Sequence, residues 1–210
     1  MVEEPTSLKK PKINNVKARF TVHPSEIDLL KKSVQAFGVK TLRNAKKKYK
    51  KKIKKKGNNK KKLFQQYHNF TVLRGKNTYI VFTKSGTVNI TGVRSLTVLS
   101  RAVNNFCKQF GVNKDLITRP IIDNITATGS FQRPINLLKL KQLVNNNKEN
   151  TSGIISVASN PSYFPSAFCR TSNSTTCSVF EKGTYNIIGA KCQKEIQEVM
   201  KQMNALIQKL

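Results

Sequence analysis

Apolar residues recur along this chain with two periods, and both halves of the chain use these periods in the same order. Apolar positions three or four residues apart in 95–110 predict an amphipathic helix that ends at Gly111. Residues 192–210 have the same spacing and predict the last helix. The apolar positions are Leu96, Leu99, Val103, Phe106 and Phe110 in the first helix and Ile196, Val199, Met200, Met203, Leu206 and Ile207 in the second.

The other segments predict strands and two further helices. Pro24 begins a helix that reaches Phe37 before Gly38, and Pro134 begins another that contains four leucines. After the first helix of each half comes an insertion, which is Lys-rich at about 40–62 and polar at about 145–160. Runs of β-branched and aromatic residues between turn residues predict the strands. These are 12–22, 64–73, 77–83 and 87–92 in the first half, and 120–131, 165–171, 175–181 and 184–189 in the second.

A shared motif indicates that the two halves arose by internal duplication. Residues 79–94 read YIVFTKSGTVNITGVR, and residues 177–191 read CSVFEKGTYNIIGAK. We therefore predict an α+β fold of two pseudo-symmetric repeats, 12–111 and 118–210, after an N-terminal tail at 1–11. Helices with one apolar stripe cover one sheet face, so two such repeats predict a continuous antiparallel sheet whose other face is open.

The charge indicates what the open face binds. The formal net charge is +29 at pH 7, which favours a polyanion as partner, with nucleic acid ahead of an anionic membrane. Twelve lysines lie in residues 46–62, and the rest of the chain stays strongly basic without them. An A/T-rich genome also enriches Lys, Asn and Ile through its codons. The Lys run fits a phosphate contact or a nuclear-import signal equally well.

The cysteine spacing and the N-terminal sequence argue against a metalloprotein, a secreted protein and a membrane protein. The four cysteines have no C-x-x-C spacing and the chain has only two histidines, so we expect reduced thiols, no metal site and no cofactor. Cys169 and Cys177 lie symmetrically about Asn173, which predicts cross-strand neighbours on the core face. No signal peptide or membrane-spanning run is recognisable, so neither secretion nor membrane insertion is expected.

The repeated motif resembles that of the TATA-box-binding protein family, whose duplicated saddle domain carries F-x-S-G followed by T-G-A-K in each half. The counterparts here are 82–94 and 180–191. In the second half, 123–128 and 163–166 resemble two further family motifs. The departures from the family pattern are similar to those of TATA-binding-like proteins of large DNA viruses. The resemblance implies a transcription initiation factor that binds duplex DNA, A/T-rich in this family, through the minor groove and bends it.

The same resemblance implies which residues contact DNA. Phe164 and Phe180 match one pair of wedge residues, with burial in the core as the alternative, and Phe82 with Phe64 matches the other pair. Asn15 and Asn124 match the central asparagines, whose amides suit the acceptors of A·T pairs. Thr91 and Ile188 occupy the contact-threonine positions, while Asn89 and Asn186 replace family valines. Phosphate contacts are expected at the saddle edges from Arg74, Lys76, Arg94, Arg170 and Lys191.

Three classes of function compete for this sequence. The first is the initiation factor, acting in a nucleus or a viral transcription compartment with RNA polymerase and a transcription factor IIB-like partner. The second is a DNA-packaging protein that keeps the saddle without site selectivity, which the Lys run and the polar replacements favour. The third is an enzyme, which we do not expect, because only ten acidic residues are present and none cluster for metal-assisted hydrolysis.

Overall fold

The computed structural model describes residues 10–33, 70–74, 78–83, 85–146, 153–160 and 163–210. These residues form two compact units: a first unit, Val16–Ile121, and a second unit, which joins Ile122–Leu210 to the residues up to Asn15. Each unit is an antiparallel sheet with helices, so the predicted α+β fold of two repeats is confirmed. The predicted segments 34–62 and 64–69 lie outside the described residues.

The first unit has the strand order β2-β3-β4-β1. Ser95 begins its long helix by accepting a hydrogen bond from the Val98 amide at 3.1 Å, and Gly111 ends the helix with φ 67°, as the sequence predicts. The elements are β1 (Lys12–Thr21), a helix α1 described over 24–33, β2 (Phe70–Arg74), β3 (Tyr79–Thr83), β4 (Thr87–Val93), α2 (Leu96–Phe110) and a 3₁₀ turn (Lys114–Leu116).

The second unit has the strand order β5-β9-β8-β7-β6. Its last helix has the same length as α2, 15 residues, and the two helices share four buried positions: Leu99, Val103, Phe106 and Phe110 match Ile196, Met200, Met203 and Ile207. The elements are β5 (Ile121–Ser130), α3 (Leu137–Asn146), β6 (Ile154–Asn160), β7 (Phe164–Thr171), β8 (Thr176–Phe180), β9 (Thr184–Ala190) and α4 (Gln193–Ile207).

The duplication extends to the register of the strands. Ala18 lies opposite Ile90 in the first unit, and Ala127 lies opposite Ile187 in the second. Both pairs of strands have a bulge just before this point, where β4 and β9 each contain one extra residue. The residue at the bulge is Gly92 with φ 89° or Gly189 with φ 100°, a conformation that disfavours side chains.

The cores of the two units are filled differently at one equivalent position. Phe20 lies opposite Val88 in the first unit, whereas Gly129 lies opposite Tyr185 in the second. A Cβ atom on Gly129 would lie 2.2 Å from Tyr185 Oη, so a larger residue would force the tyrosine ring or the strand to shift. The large side chain is therefore on β1 in the first unit but on β9 in the second unit, and each pair keeps one large and one small residue.

Two predicted boundaries in the second unit are wrong. Part of the expected polar insertion at 145–160 is the edge strand β6, which pairs with β7 and buries Ile154 and Val157. The helix predicted from Pro134 begins at Leu137, because the Ile135 amide donates to the Glu181 carbonyl at 2.8 Å and holds this segment against a hairpin.

Candidate nucleic-acid interface

Each sheet has one face buried against helices and one face that none of the described helices covers, which we call the open face. On β1, buried Val16, Ala18 and Phe20 alternate with exposed Lys17 and Arg19. The alternation and the strand registers define the open face. Its described members in the first unit are Lys17, Arg19, Thr21, Tyr79, Val81, Thr83, Thr87, Asn89 and Thr91; in the second unit they include Asn124, Thr126, Thr128, Phe164, Ser166, Phe168, Arg170, Thr176, Ser178, Phe180, Asn186 and Ile188.

Three phenylalanines form an aromatic cluster on the open face of the second unit. The ring centroids of Phe164 and Phe180 are 6.1 Å apart, and those of Phe164 and Phe168 are 5.7 Å apart in a stacked arrangement. Phe164 is 45% exposed and Phe168 is 41% exposed, while Phe180 is half-buried. Ser166, which lies opposite Phe180, is fully buried on this face. The structure therefore brings Phe164 and Phe180 together on the open face.

The motif comparison does not mark Phe168, although its position in the sequence contains a signal. It lies four residues after Phe164 on the same strand, and even spacing along a strand places two residues on one face. Its stacked ring buries part of Phe164. The aromatic surface of the second unit is therefore larger than the predicted pair.

The assignment of Phe82 as an open-face wedge is wrong. Phe82 is 5% exposed and lies opposite buried Val88, so it belongs to the core. The Gly86 amide donates to the Thr83 carbonyl at 3.0 Å, and in the second unit the Gly183 amide donates to the Phe180 carbonyl at 2.8 Å. These matching turns show that Thr83 occupies the position of Phe180.

One extra residue between Phe and Gly in the first repeat explains this difference. A shift of one residue along a strand moves a side chain to the opposite face. The Thr83 hydroxyl lies 2.8 Å from Ser85 Oγ and accepts a hydrogen bond from the Thr87 amide at 3.1 Å, so it stabilises the turn. The other predicted member of this pair, Phe64, lies outside the described residues.

The side chain of Asn124 is oriented by two hydrogen bonds. Its Oδ1 accepts from the amide of the bulge residue Gly189 at 2.7 Å, and its Nδ2 donates to Thr126 Oγ1 at 3.3 Å. A backbone N–H can only donate, so this contact fixes the oxygen toward Gly189 and the NH₂ group toward Thr126. The NH₂ group carries two hydrogens, and the bond to Thr126 uses one. Asn124 is thus preorganised to donate a hydrogen bond on the open face.

The remaining predicted floor residues lie on the open face at equivalent positions. Asn15 directly precedes buried Val16, as Asn124 precedes buried Ile125. Asn89 and Asn186 are half-buried, opposite Val81 and Ser178 respectively. Thr91 is half-buried and Ile188 is 46% exposed, each directly before the bulge glycine.

The described residues among the predicted phosphate contacts lie on β2 and β7 or directly after β4 and β9. Arg94 and Lys191 are exposed directly after β4 and β9. Arg170 is exposed on β7 opposite Thr176, and Arg74 has the equivalent register on β2, opposite Tyr79. Lys76 lies outside the described residues.

The cysteines in the core are buried thiols. Cys169 lies opposite Cys177 on the core face, as predicted, and both are fully buried with free thiols. Burial raises the pKa of the Cys169 thiol to about 12 and raises the pKa of Cys177 well above its usual value. Cys192 is exposed and Cys107 is buried. Within the ranges given above, no group of His, Cys, Asp and Glu side chains is arranged to hold a metal.

No helix among the described residues combines the length and apolar character needed to cross a membrane.

Comparison with known proteins identifies the fold. Residues 119–210 match the family model for transcription factor TFIID, also called TATA-binding protein or TBP. The structure is similar to Methanococcus jannaschii TBP with a TM-score of 0.60 and 16% sequence identity, covering 96% of this chain and 100% of that chain. A search of curated proteins gave no match. The predicted TBP fold is therefore confirmed.

Proposed function

We propose that this chain, a divergent TBP-like protein, is a transcription initiation factor that binds duplex DNA on its open faces and bends it from the minor groove. The observation that carries the proposal is the aromatic cluster of Phe164, Phe168 and Phe180 on a sheet face that is open in the described part of the chain. Exposed aromatic rings in a contiguous patch are unfavourable in water, so they indicate an interaction surface.

Aromatic rings at this position suit insertion between base pairs. Minor-groove proteins, the TATA-binding family among them, unstack a base step with apolar side chains and so kink the duplex. Phe164 presents its ring beside that of Phe180, and Phe168 stacks on the far side of Phe164. Three rings in contact resist displacement better than one exposed ring, which favours insertion as a unit.

The oriented amide of Asn124 adds recognition of the groove. A·T pairs offer only acceptors in the minor groove, whereas G·C pairs also offer the guanine amino donor. A donor held in place by Gly189 and Thr126 loses little conformational entropy when it binds such an acceptor. This supports a preference for A/T-rich duplex in the half-site under the second unit.

A second candidate is DNA packaging without site selectivity. The observation that favours it is the polarity of the floor, where Asn89, Asn186 and Lys17 occupy positions at which the TATA-binding family has apolar residues. Polar and charged side chains tolerate the guanine amino group better than a flat apolar floor does. Competition separates the two candidates, because specific binding survives an excess of random duplex and non-specific binding does not.

Protein partners follow from the same proposal. The family recruits a transcription factor IIB-like protein through acidic residues just before its Leu-Phe-Pro motif. Here residues 160–163 read NPSY and contain no acid, and Tyr163 is 91% exposed. We expect a partner of that kind, which in turn binds RNA polymerase, to contact a surface that is less acidic here than in the family.

The decisive experiment measures binding and bending together on a duplex labelled for energy transfer at both ends. We expect the protein to shorten the end-to-end distance of an A/T-rich duplex. Replacing the A·T pairs by inosine·cytosine pairs keeps the minor-groove pattern and changes the major groove, so binding and bending should persist. Binding that is lost with inosine·cytosine pairs, or that leaves the duplex straight, would contradict the proposed mechanism.

A further inference from the structure

Two cations on β1 distinguish the open face of the first unit from that of the second. Lys17 and Arg19 are both exposed on the open face, between buried Val16, Ala18 and Phe20. The alternation fixes their side, because neighbouring residues on a strand point to opposite faces. They lie within β1, whereas Arg94 and Lys191 follow the ends of β4 and β9.

The equivalent positions of the second unit are neutral. The common register makes Thr126 the counterpart of Lys17, and Thr128 the counterpart of Arg19. Both threonine hydroxyls accept hydrogen bonds from asparagine side chains: Thr126 from Asn124 at 3.3 Å, and Thr128 from Asn14 at 2.7 Å. The second unit therefore uses these positions to orient amides, whereas the first unit has an exposed Lys and an exposed Arg there.

Other cations of the interface occur in both units. Arg94 corresponds to Lys191, and Arg74 corresponds to Arg170, at matching places in the register. Lys17 and Arg19 break this symmetry.

We infer that Lys17 and Arg19 form a cationic half-floor that enters the minor groove under the first unit; the inference rests on the proposed function. A narrow A/T-rich minor groove has an enhanced negative potential that attracts inserted Lys and Arg side chains. The two ends of the bound duplex are then recognised differently. The second unit kinks its half-site with aromatic rings, and the first unit holds its half-site by charge.

The test replaces each cation by the residue of the second unit. Lys17→Thr together with Arg19→Thr introduces a good strand-forming residue at an exposed site, so the fold should persist, which circular dichroism and melting check. The matched control removes the same charge from the helix side of the same unit with Arg101→Gln and Lys108→Gln, both exposed on α2. Binding to an A/T-rich duplex is measured between about 50 and 200 mM salt, with bending at saturation.

Each neutralised charge contact contributes about 0.9 to the log–log salt slope, so loss of both contacts lowers the slope by about 1.8. When the salt concentration rises four-fold, the affinity of the variant should therefore fall by a factor about twelve-fold smaller than the factor by which the wild-type affinity falls. We expect this change in the Lys17/Arg19 variant alone, with bending at saturation retained. Equal slopes in the two double variants, with a wild type that binds and bends, would overturn the inference and leave the proposed function intact. A wild type that binds no duplex would overturn both.

Discussion

The dipeptide Val-Phe occurs at 81–82 and again at 179–180, and replacing each Phe by Ala tests the assignment of faces. Phe82 is 5% exposed and packs in the core of the first unit. Truncating a buried phenylalanine removes its transfer free energy and leaves a cavity, so Phe82→Ala should lower the free energy of unfolding by about 3–5 kcal/mol. DNA bending per folded molecule should be affected little.

Phe180→Ala should give the opposite result. Phe180 is half-buried and lies next to only one ring of the cluster, that of Phe164. An aromatic pair contributes about 0.5–1.5 kcal/mol beyond burial, and truncation at an open face leaves no closed cavity. The free energy of unfolding should therefore fall by about 1–2 kcal/mol. Bending should be lost, most completely when Phe164→Ala is added.

The assay combines urea denaturation with energy transfer on the end-labelled duplex, at saturating concentrations of folded protein. The two Phe→Ala variants serve as controls for one another, because the residue and its preceding neighbour are the same. Equal loss of stability in both variants would refute the assignment of Phe180 to the open face. A stable Phe164→Ala/Phe180→Ala protein that still bends DNA would refute insertion and favour the packaging function.

Four further predictions concern the core, the cysteines and the Lys run. Gly129→Ala should destabilise the protein, because the new Cβ would lie 2.2 Å from the Tyr185 hydroxyl. In a Tyr185→Val background the same substitution should lower the free energy of unfolding by less. Equal losses in the two backgrounds, measured by denaturation, would contradict the steric argument. Only Cys192 should react with a thiol reagent in the native state, as counted against denatured protein. Because the pKa of Cys169 is raised from 9.0 to about 12, native protein keeps a proton that the unfolded chain releases, so stability should fall as pH rises from about 9 to about 12; a flat profile in denaturation would contradict it. Deleting 46–62 should weaken DNA binding but leave any sequence preference unchanged, because a charge run without fixed geometry contacts phosphates; altered preference in a competition assay would show otherwise.

The helices and inner strands were predictable because their signals are periodic and local. The stripe from Leu99 to Phe110 marks α2, with Gly111 as its stop, and the alternation around Ile90 marks β4. The strand β6 escaped prediction because an edge strand buries few residues and a register shift between Ile154 and Ser156 breaks its alternation.

The wedge residues show where motif matching fails. The repeated Val-Phe placed Phe82 and Phe180 in the same role, but only the hydrogen bonds of the turns show that Thr83 corresponds to Phe180. A one-residue difference in loop length is easily absorbed in an alignment, although it exchanges the two faces of a strand. The proposed role of Lys17 likewise depends on the neutral Thr126 at the matching position, which only the strand registers identify.

A chain that contains the same strand arrangement twice can pair its strands wrongly as it folds, since β1 and β5 have the same register toward β4 and β9. The exchange of large and small residues discriminates against this error. Correct pairing sets Phe20 against Val88 and Gly129 against Tyr185. Mispairing would crowd Phe20 against Tyr185 and leave a void between Gly129 and Val88, and both defects cost free energy. The residue sizes on β1 and β5 thus favour pairing with β4 and β9 respectively, a discrimination that two identical repeats would lack.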